Sequence, residues 1–225
     1  MDILTRAVDW FGSSANWSGT DGIPNRLGEH LYYSGLSLLI AALIALPLGL
    51  YVGHTGRGAF LAVNSGNAAR ALPTIGLLGL CVVIFGIGLK PTLLPLIALA
   101  IPPILVNTYA GVRQVDAQLR DAASGMGMKG WQVLFQVEVP VALPLIILGL
   151  RTAAVQIVST ATIAAYVGLG GLGRYIFDGL ARQQYEVMVG GAVLSVLLAL
   201  GVEALFVGVQ RLIVSPGVRK RVLAK

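Results

Sequence analysis

Two charged side chains stand inside long apolar runs, where a charge is most costly to place. Arg151 interrupts the otherwise uncharged run 139–173, and Glu203 interrupts the run 187–210. An arginine at the centre of a membrane helix costs about 2.5 to 3.5 kcal/mol on insertion scales, so such a residue faces protein or water. Helical rise puts the two charges at similar depth, which predicts an intramembrane ion pair. The alternative interpretation makes Arg151 a gate or pathway residue.

Hydroxyl side chains cluster near the end of the first of these runs, at Ser159, Thr160 and Thr162. No basic residue stands close to them in sequence, so they are candidates for helix packing or pore lining rather than for a nucleophile. The glycine-rich stretch 168–173 formally fits G-x-G-x-x-G, but it follows an apolar helix instead of a strand and favours a turn. We therefore predict no catalytic residue.

Nucleotide and metal sites are not predicted either. The sequence contains no G-x-x-x-x-G-K-[ST] motif, so it cannot form an ATP site of that type. His30 and His54 bracket the first apolar run and are too far apart to share a metal ion, which predicts two interfacial side chains. We expect this chain to bind no metal and no cofactor of its own.

The only long polar stretch in the interior of the sequence covers residues 113–138, called the polar segment below. A short helix is predicted from about Val115 to Met126, and Gly127 can end it in a left-handed cap. Small residues let a partner surface approach the helix backbone closely, and the charged ones can pair with that partner. The small ones are Ala122, Ala123 and Gly125, and the charged ones are Asp116, Arg120 and Asp121.

The remaining elements are apolar runs that suit a bilayer. Of the 225 residues 56% are hydrophobic and only 12% are charged, against roughly 25% charged in soluble domains. A hydrocarbon core of about 30 Å needs about 20 helical residues. Five such spans are predicted, in 31–53, 71–89, 91–112, 139–173 and 187–210. The second also allows an earlier start near Ser65, and Lys90-Pro91 marks the turn after it. The run 139–173 is too long for one crossing, so 166–173 is predicted to turn or re-enter.

The fold class is therefore an all-α polytopic membrane helix bundle with about five transmembrane helices. Residues 1–29, with Trp10 and Trp17, are predicted to form an external interfacial segment, 30–213 the transmembrane domain, and 214–225 a basic tail. Most lysines and arginines fall on the side of the polar segment, which places it and the C-terminus in the cytoplasm. The net charge of +6 is scattered between apolar runs and does not indicate nucleic-acid binding.

The polar segment reads Asp121-Ala122-Ala123-Ser124-Gly125-Met126-Gly127, and Val137-Glu138-Val139-Pro140 follows after nine residues. This resembles the signature loop of binding-protein-dependent ABC importer permeases. In that loop Glu-Ala-Ala, a glycine four residues after the second alanine and a closing hydrophobic-x-Leu-Pro recur. Asp121 replaces the usual Glu and Val139 the usual Leu. The stretches 71–80, 149–153 and 164–173 look like the osmoprotectant branch, whose members carry glycine betaine, choline or carnitine.

The resemblance implies a fold of the type I ABC importer permease kind in the bacterial cell membrane. It implies that the residues of the signature loop couple the chain to an ATPase subunit. ATP is then bound by that subunit and not by this chain. Those residues are Asp121, Ala122, Ala123, Gly127 and Pro140. It further implies three partners besides the lipid bilayer: the ATPase, a second permease copy in a homo- or heterodimer, and an extracytoplasmic solute-binding protein.

Three other functions stay open at this point. A methionine-type amino-acid importer shares the small five-span layout and a glycine-rich stretch. A channel or secondary transporter without an ATPase is expected to show inverted repeats and an acidic relay, whereas Glu203 is the lone acidic residue within the spans. A membrane-embedded enzyme needs a catalytic constellation, and none is apparent.

Overall fold

The structure, a computed structural model, describes residues 3–60, 62, 64 and 73–214, which form helices joined by short turns and contain no strand. The α-helices are α1 (Ile3–Gly12), α2 (Ile23–Thr55), α3 (Thr74–Phe85), α4 (Leu89–Arg113), α5 (Ala117–Gly125), α6 (Gly130–Val133), α7 (Val139–Thr160), α8 (Gly173–Ala181) and α9 (Tyr185–Ile213). Two 3-10 segments cover Ser14–Trp17 and Ala161–Val167, and a π-turn covers Leu134–Glu138. The early start of the second span near Ser65 and the basic tail from 215 lie outside the described residues.

Four helical stretches within the described residues are long and apolar enough to cross a membrane. They are Ile23–Thr55, Leu89–Arg113, Gly130–Val167 and Tyr185–Ile213. The predicted second span is represented by α3, which has 12 residues in the part of the chain that is described. A helix of that length rises about 18 Å at 1.5 Å per residue, which is less than the hydrocarbon core.

The first long helix begins at Ile23, earlier than the apolar run at 31 predicts. Pro24 stands in its first turn, where a missing backbone N–H leaves no hydrogen bond unmade. The added turns carry Arg26 and Glu29, which pair with each other at 2.9 Å. Contacts within the protein therefore extend this helix beyond the stretch that hydropathy identifies.

The turn between the second and third predicted spans lies at Gly86 and Gly88, with φ of 77° and 152°. The prediction that Lys90-Pro91 marks this turn is wrong, because both residues belong to the first turn of α4. Glycine adopts positive φ without steric cost, whereas proline suits the start of a helix.

The chain divides into two compact units. One consists of Met1–Leu39, Leu72–Ile97 and Ala154–Val202, and the other of Ile40–Ala71, Ala98–Ala153 and Glu203–Lys225. The first contains the N-terminal helices and the glycine-rich turn, and is called the N-terminal unit below. The second contains the polar segment, and is called the polar-segment unit.

In the polar-segment unit, glycines let α2 and α4 touch backbone to side chain. A Cβ built on Gly49 would lie 2.7 Å from the Thr108 Cβ, and one on Gly53 would lie 2.6 Å from the Val112 Cβ. Both distances are below any normal contact, so only glycine fits. The four-residue spacing of both pairs puts each pair on one helix face, the pattern typical of small-residue packing in membranes.

Helices α4 and α7 approach each other in the same way. A Cβ on Gly111 would meet the Ala142 carbonyl oxygen at 3.0 Å, and one on Gly149 would meet the Asn107 Cβ at 2.9 Å. Val112, Ala142 and Ile146 form the buried apolar cluster beside these contacts. Three helices of this unit are therefore held at short interaxial distance by single glycines.

Gly53→Ala is expected to lower the thermal stability of the purified protein in detergent. Overpacking a tight contact costs about 1 to 3 kcal/mol, and here the new methyl would meet the Val112 side chain. The matched control is Gly35→Ala on the same helix, where an added Cβ meets nothing within 4 Å. Equal melting temperatures for the two variants would contradict the proposed packing role of Gly53.

Candidate coupling site and intramembrane charge pairs

Helix α5 of the polar segment begins with a side-chain cap. The Asp116 carboxylate accepts a hydrogen bond from the Gln118 N–H at 2.9 Å, while its own backbone is not helical, with φ of −56° and ψ of 131°. Aspartate is a preferred residue at this position because it satisfies a free donor of the first turn. The cap fixes where the chain leaves α4 and turns into α5.

The same helix ends in a Schellman motif at Gly127. The Gly127 N–H donates to the Ser124 carbonyl at 2.9 Å, the Met128 N–H donates to the Ala123 carbonyl at 3.2 Å, and Gly127 has φ of 84°. This is the left-handed ending that glycine favours. The nine-residue helix thus has both ends defined by hydrogen bonds, although a helix this short is marginal by itself.

The residues of the predicted coupling loop divide between two faces of α5. Asp121 and Ala122 are exposed, whereas Ala123 is buried. Gly127 is exposed at the helix end, and Pro140 stands exposed in the first turn of α7. The loop therefore has an exposed outer face that includes Asp121 and Ala122, and it packs on the protein through Ala123.

Glu138, in the polar segment, is only 1% exposed and has two partners that no local pattern indicates. The Arg120 Nε lies 2.9 Å from its Oε1, and the His54 Nδ1 lies 2.7 Å from its Oε2. A buried carboxylate needs such partners because desolvation of an unpaired charge costs several kcal/mol. The available sequence signal was an acidic residue directly before an apolar run. These three residues form what we call the Glu138 cluster.

A π-turn carries Glu138 into α7. Residues Leu134–Glu138 are wound more widely than an α-helix, and the Val139 N–H donates to the Leu134 carbonyl. Pro140 follows directly and has no N–H to offer to the preceding turn. Single π-turns in long helices often occur at functional positions, and this one sets the direction in which the Glu138 side chain points inward.

Arg151 and Glu203 are brought together by the fold of the polar-segment unit. The Arg151 Nε donates to the Glu203 Oε2 at 2.8 Å, and the Nη2 contacts the Oε1. Two parallel contacts of a guanidinium with a carboxylate form the strong fork geometry. The side chains are 29% and 35% exposed, so one edge of the pair remains open. Because this edge is open, both the structural role and the gating role of Arg151 remain to be tested.

The predicted pore-lining hydroxyls lie in the N-terminal unit at the end of α7. Ser159 is exposed, and the Thr162 hydroxyl donates to the Ser159 carbonyl at 2.9 Å. Thr160 lines a small cavity together with Thr74 and Thr92. Three threonines thus line one cavity, and the sequence did not single out two of them.

The glycine-rich turn is fastened to the start of α2. The Glu29 carboxylate accepts the Gly171 N–H at 2.8 Å, and the His30 Nδ1 accepts the Leu172 N–H at 3.3 Å. The His30 Nε2 lies 2.9 Å from the Val158 carbonyl, so a neutral imidazole with its proton on Nε2 satisfies both contacts. The prediction of His30 as an interfacial side chain is wrong, because the residue is fully buried.

Close packing explains why this turn consists of glycines. A Cβ on Gly170 would overlap the Glu29 carboxylate, and one on Gly173 would overlap the Thr162 carbonyl. Beside it, the Tyr175 hydroxyl donates to the Asp21 carbonyl at 2.5 Å, and burial raises the pKa of this hydroxyl. The turn is a packed structural element of the N-terminal unit, as its position after an apolar helix indicates.

Helix α1, in the segment predicted to be interfacial, also contacts the N-terminal unit. Trp10 packs on Gly190, where a Cβ would lie 2.5 Å from the indole ring, and stacks edge-on against Tyr175 at 5.2 Å. Arg6 pairs with Glu186 at 2.6 Å. Trp17 is exposed and donates its ring N–H to the Phe11 carbonyl. One tryptophan is thus used for packing and the other stays at the surface.

Within the described residues, no group of three or more histidine, cysteine, aspartate or glutamate side chains is arranged to hold a metal ion. His54 is 28% exposed and contacts Glu138, which makes it part of a charge cluster of the protein. In the described residues, buried or partly buried charge pairs lie at the polar segment and between Arg151 and Glu203.

Comparison with known proteins supplies the family. Residues 41–220 match the family described as "Binding-protein-dependent transport system inner membrane component". The glycine betaine/carnitine/choline transport system permease protein OpuCB of Bacillus subtilis (strain 168) is 34% identical over 194 residues, 86% of this chain and 89% of the relative. The choline transport system permease protein OpuBB of the same organism is 33% identical over 192 residues, 85% and 88% of the two chains.

A solved structure shares the fold. A chain of the MetNI methionine ABC transporter in an inward-facing conformation superimposes with a TM-score of 0.70 at 26% identity. The match covers 83% of this chain and 94% of that chain. The type I importer permease fold that the signature loop implied is therefore confirmed.

The Arg151–Glu203 pair leads to a double-mutant prediction. Arg151→Leu and Glu203→Leu are each expected to lower the folded yield in detergent, because either change leaves a charge without its partner. Removing one member of a buried pair commonly costs about 3 to 5 kcal/mol, an upper bound here because both side chains are partly exposed. The double variant should recover much of the loss. Losses that simply add would support a separate gating role for Arg151.

Proposed function

The chain belongs to the family of binding-protein-dependent transport system inner membrane components, and on this premise we propose its task. It is the transmembrane permease subunit of an ATP-driven importer for compatible solutes such as glycine betaine, choline or carnitine. The observation that carries the proposal is the signature loop at Asp121–Gly127, which belongs to a capped helix with an exposed outer face. The chain is a multi-pass membrane protein.

The names of the relatives support the solute class. OpuCB is named for glycine betaine, carnitine and choline, and OpuBB for choline, and each match covers more than four fifths of both chains. The methionine-type alternative has its support from a structure at 26% identity. The osmoprotectant function is therefore the better one.

The outer surface of the polar segment suits an ATPase subunit. It exposes large apolar side chains beside its charges, and Met126 is 78% exposed at the end of α5. The other apolar ones are Leu119, Trp131 and Phe135. Aromatic and methionine side chains are enriched in protein interfaces, whereas most charged side chains lie at the rim. ATP is bound by the partner, because this chain has no P-loop sequence.

The transport cycle then follows from the position of α5. Closure of two ATPase subunits on ATP moves the polar segments, and the helices attached to them alternate the opening of a pore between two permease copies. Ser159, Thr160 and Thr162 are the proposed pore-lining hydroxyls of the chain. An extracytoplasmic binding protein delivers the solute. Recognition of a quaternary ammonium by cation–π contacts is assigned to that protein.

Gly127→Leu is expected to abolish ATP-driven uptake of glycine betaine while the protein still inserts. An L-residue in the left-handed conformation costs about 1 kcal/mol or more, and nothing lies within 4 Å to hold the new side chain inside. The leucine therefore projects to where the ATPase docks. Uptake into vesicles and ATPase stimulation by the binding protein measure the effect.

The control for this variant is Gly127→Asn, because asparagine tolerates the left-handed region and is smaller. It should retain most of the uptake. Normal uptake together with normal ATPase stimulation in Gly127→Leu would contradict the assignment of α5 as the coupling helix.

The orientation with the polar segment and the C-terminus in the cytoplasm predicts a labelling pattern. Ser124→Cys in a Cys81→Ala background should react with a membrane-impermeant thiol reagent only after the cells are opened, because Ser124 is exposed on α5. Thr20→Cys, exposed in the N-terminal segment, should react in intact cells. The reverse pattern would invert the topology.

A further inference from the structure

The Glu138 cluster contains a charge that the family resemblance does not explain. The carboxylate is buried within the polar-segment unit, with one oxygen in an ion pair with Arg120 and the other in a hydrogen bond with His54. A buried ionic group replaced by apolar residues is often neutral for stability, so such a group is weak evidence of a stabilising role. The role of Glu138 is better inferred from the helices that its contacts connect.

The cluster joins one short helix to three long ones. Arg120 extends from α5, and besides Glu138 it also donates to the Val112 carbonyl in the last turns of α4. Glu138 stands at the start of the α7 helix, and His54 lies in the last turn of α2. The contacts of Arg120 with the Glu138 carboxylate and with the Val112 carbonyl attach α5 to the ends of α7 and α4, and the His54–Glu138 contact adds the end of α2.

The geometry separates docking from attachment on α5. Arg120 and Ala123 face the protein, with a side-chain exposure of 22% for Arg120 and burial of Ala123. Leu119, Asp121 and Ala122 are exposed. A force applied to the outer face of α5 therefore reaches the other helices through its inner face. In the described residues, Arg120 makes the only charged contact of α5 with those helices.

We propose that Glu138 is a positioning residue of the transport cycle, which, with Arg120 and His54, transmits movement of α5 to α2, α4 and α7 together. The inference rests on the proposed function, because it needs an ATPase acting on α5. The π-turn at Leu134–Glu138 supports it, since a wide turn lets the carboxylate stay with α5 while α7 changes its direction. The Glu138 cluster thus connects the docking surface on α5 to the helices of the pore.

The experiment measures solute molecules taken up per ATP hydrolysed. The complete complex, with ATPase subunits and binding protein, is reconstituted in proteoliposomes and supplied with labelled glycine betaine, choline and carnitine. Glu138→Gln keeps the shape and removes the charge. His54→Leu removes one contact at a partly exposed position, and His54→Asn restores a donor near the place of Nδ1.

We expect Glu138→Gln and His54→Leu to assemble and to hydrolyse ATP at the basal wild-type rate, with uptake per ATP lowered about tenfold, the change typical of losing one hydrogen bond to a charge. His54→Asn should lie within about threefold of wild type, since a neutral donor retains part of that bond. Asp178→Asn, which breaks a surface pair with Arg174, should leave the ratio unchanged.

An unchanged uptake per ATP in His54→Leu and in assembled Glu138→Gln, with only the yield of complex lowered, would overturn the inference and leave the cluster a stabilising contact. If Glu138→Gln does not assemble, the two His54 variants decide alone. Failure of the wild-type chain to support any ATP-dependent uptake would instead overturn the proposed function, and this inference with it.

Discussion

Where water cannot reach, in the interior of a protein or in a bilayer, a charged or polar group must have its partner in the protein. Glu138 shows the consequence most fully, because both of its oxygens are used by side chains that are distant in sequence. Arg151 meets the same requirement with Glu203. His30 meets it as a neutral ring between two backbone groups. The positions of these polar contacts in turn fix which helix ends are attached to which.

Helix packing depends on glycine as well. The hydrophobic effect does not drive helices together in lipid, so they associate where their backbones can approach closely. Close approach at Gly49 and Gly53 gives α2 and α4 van der Waals contact where side chains would hold them apart. At Gly127 and Gly171 glycine is needed for its backbone freedom, because φ is positive there, at 84° and 90°. The high glycine content thus has two separate physical causes, one in helix interiors and one in turns.

The sequence was sufficient for features that depend on neighbouring residues. Apolar runs located the long helices, and Gly127 was expected to end α5, whose limits the structure sets at Ala117 and Gly125. It was insufficient where partners are far apart along the chain. His30 was assigned to the interface, although its bonding partner Val158 is 128 positions away. The sequence showed Glu138 only as an acidic residue before an apolar run and not as a buried one, because its partner His54 is 84 positions away. Depth along a helix can be counted from sequence, but the direction of a side chain around the helix cannot.

The short helix α5 can act as a rigid lever only if its own folding does not compete with its movement. Nine residues are too few for a stable isolated helix, so its shape must come from the Asp116 cap, the Gly127 ending and the contacts of Arg120. Two of these are internal to the segment and survive any displacement of it. The contacts of Arg120 are the ones that displacement must carry along or break. A docking partner that moves α5 therefore acts first on the contacts of Arg120, with the buried Glu138 carboxylate and with the Val112 carbonyl at the end of α4.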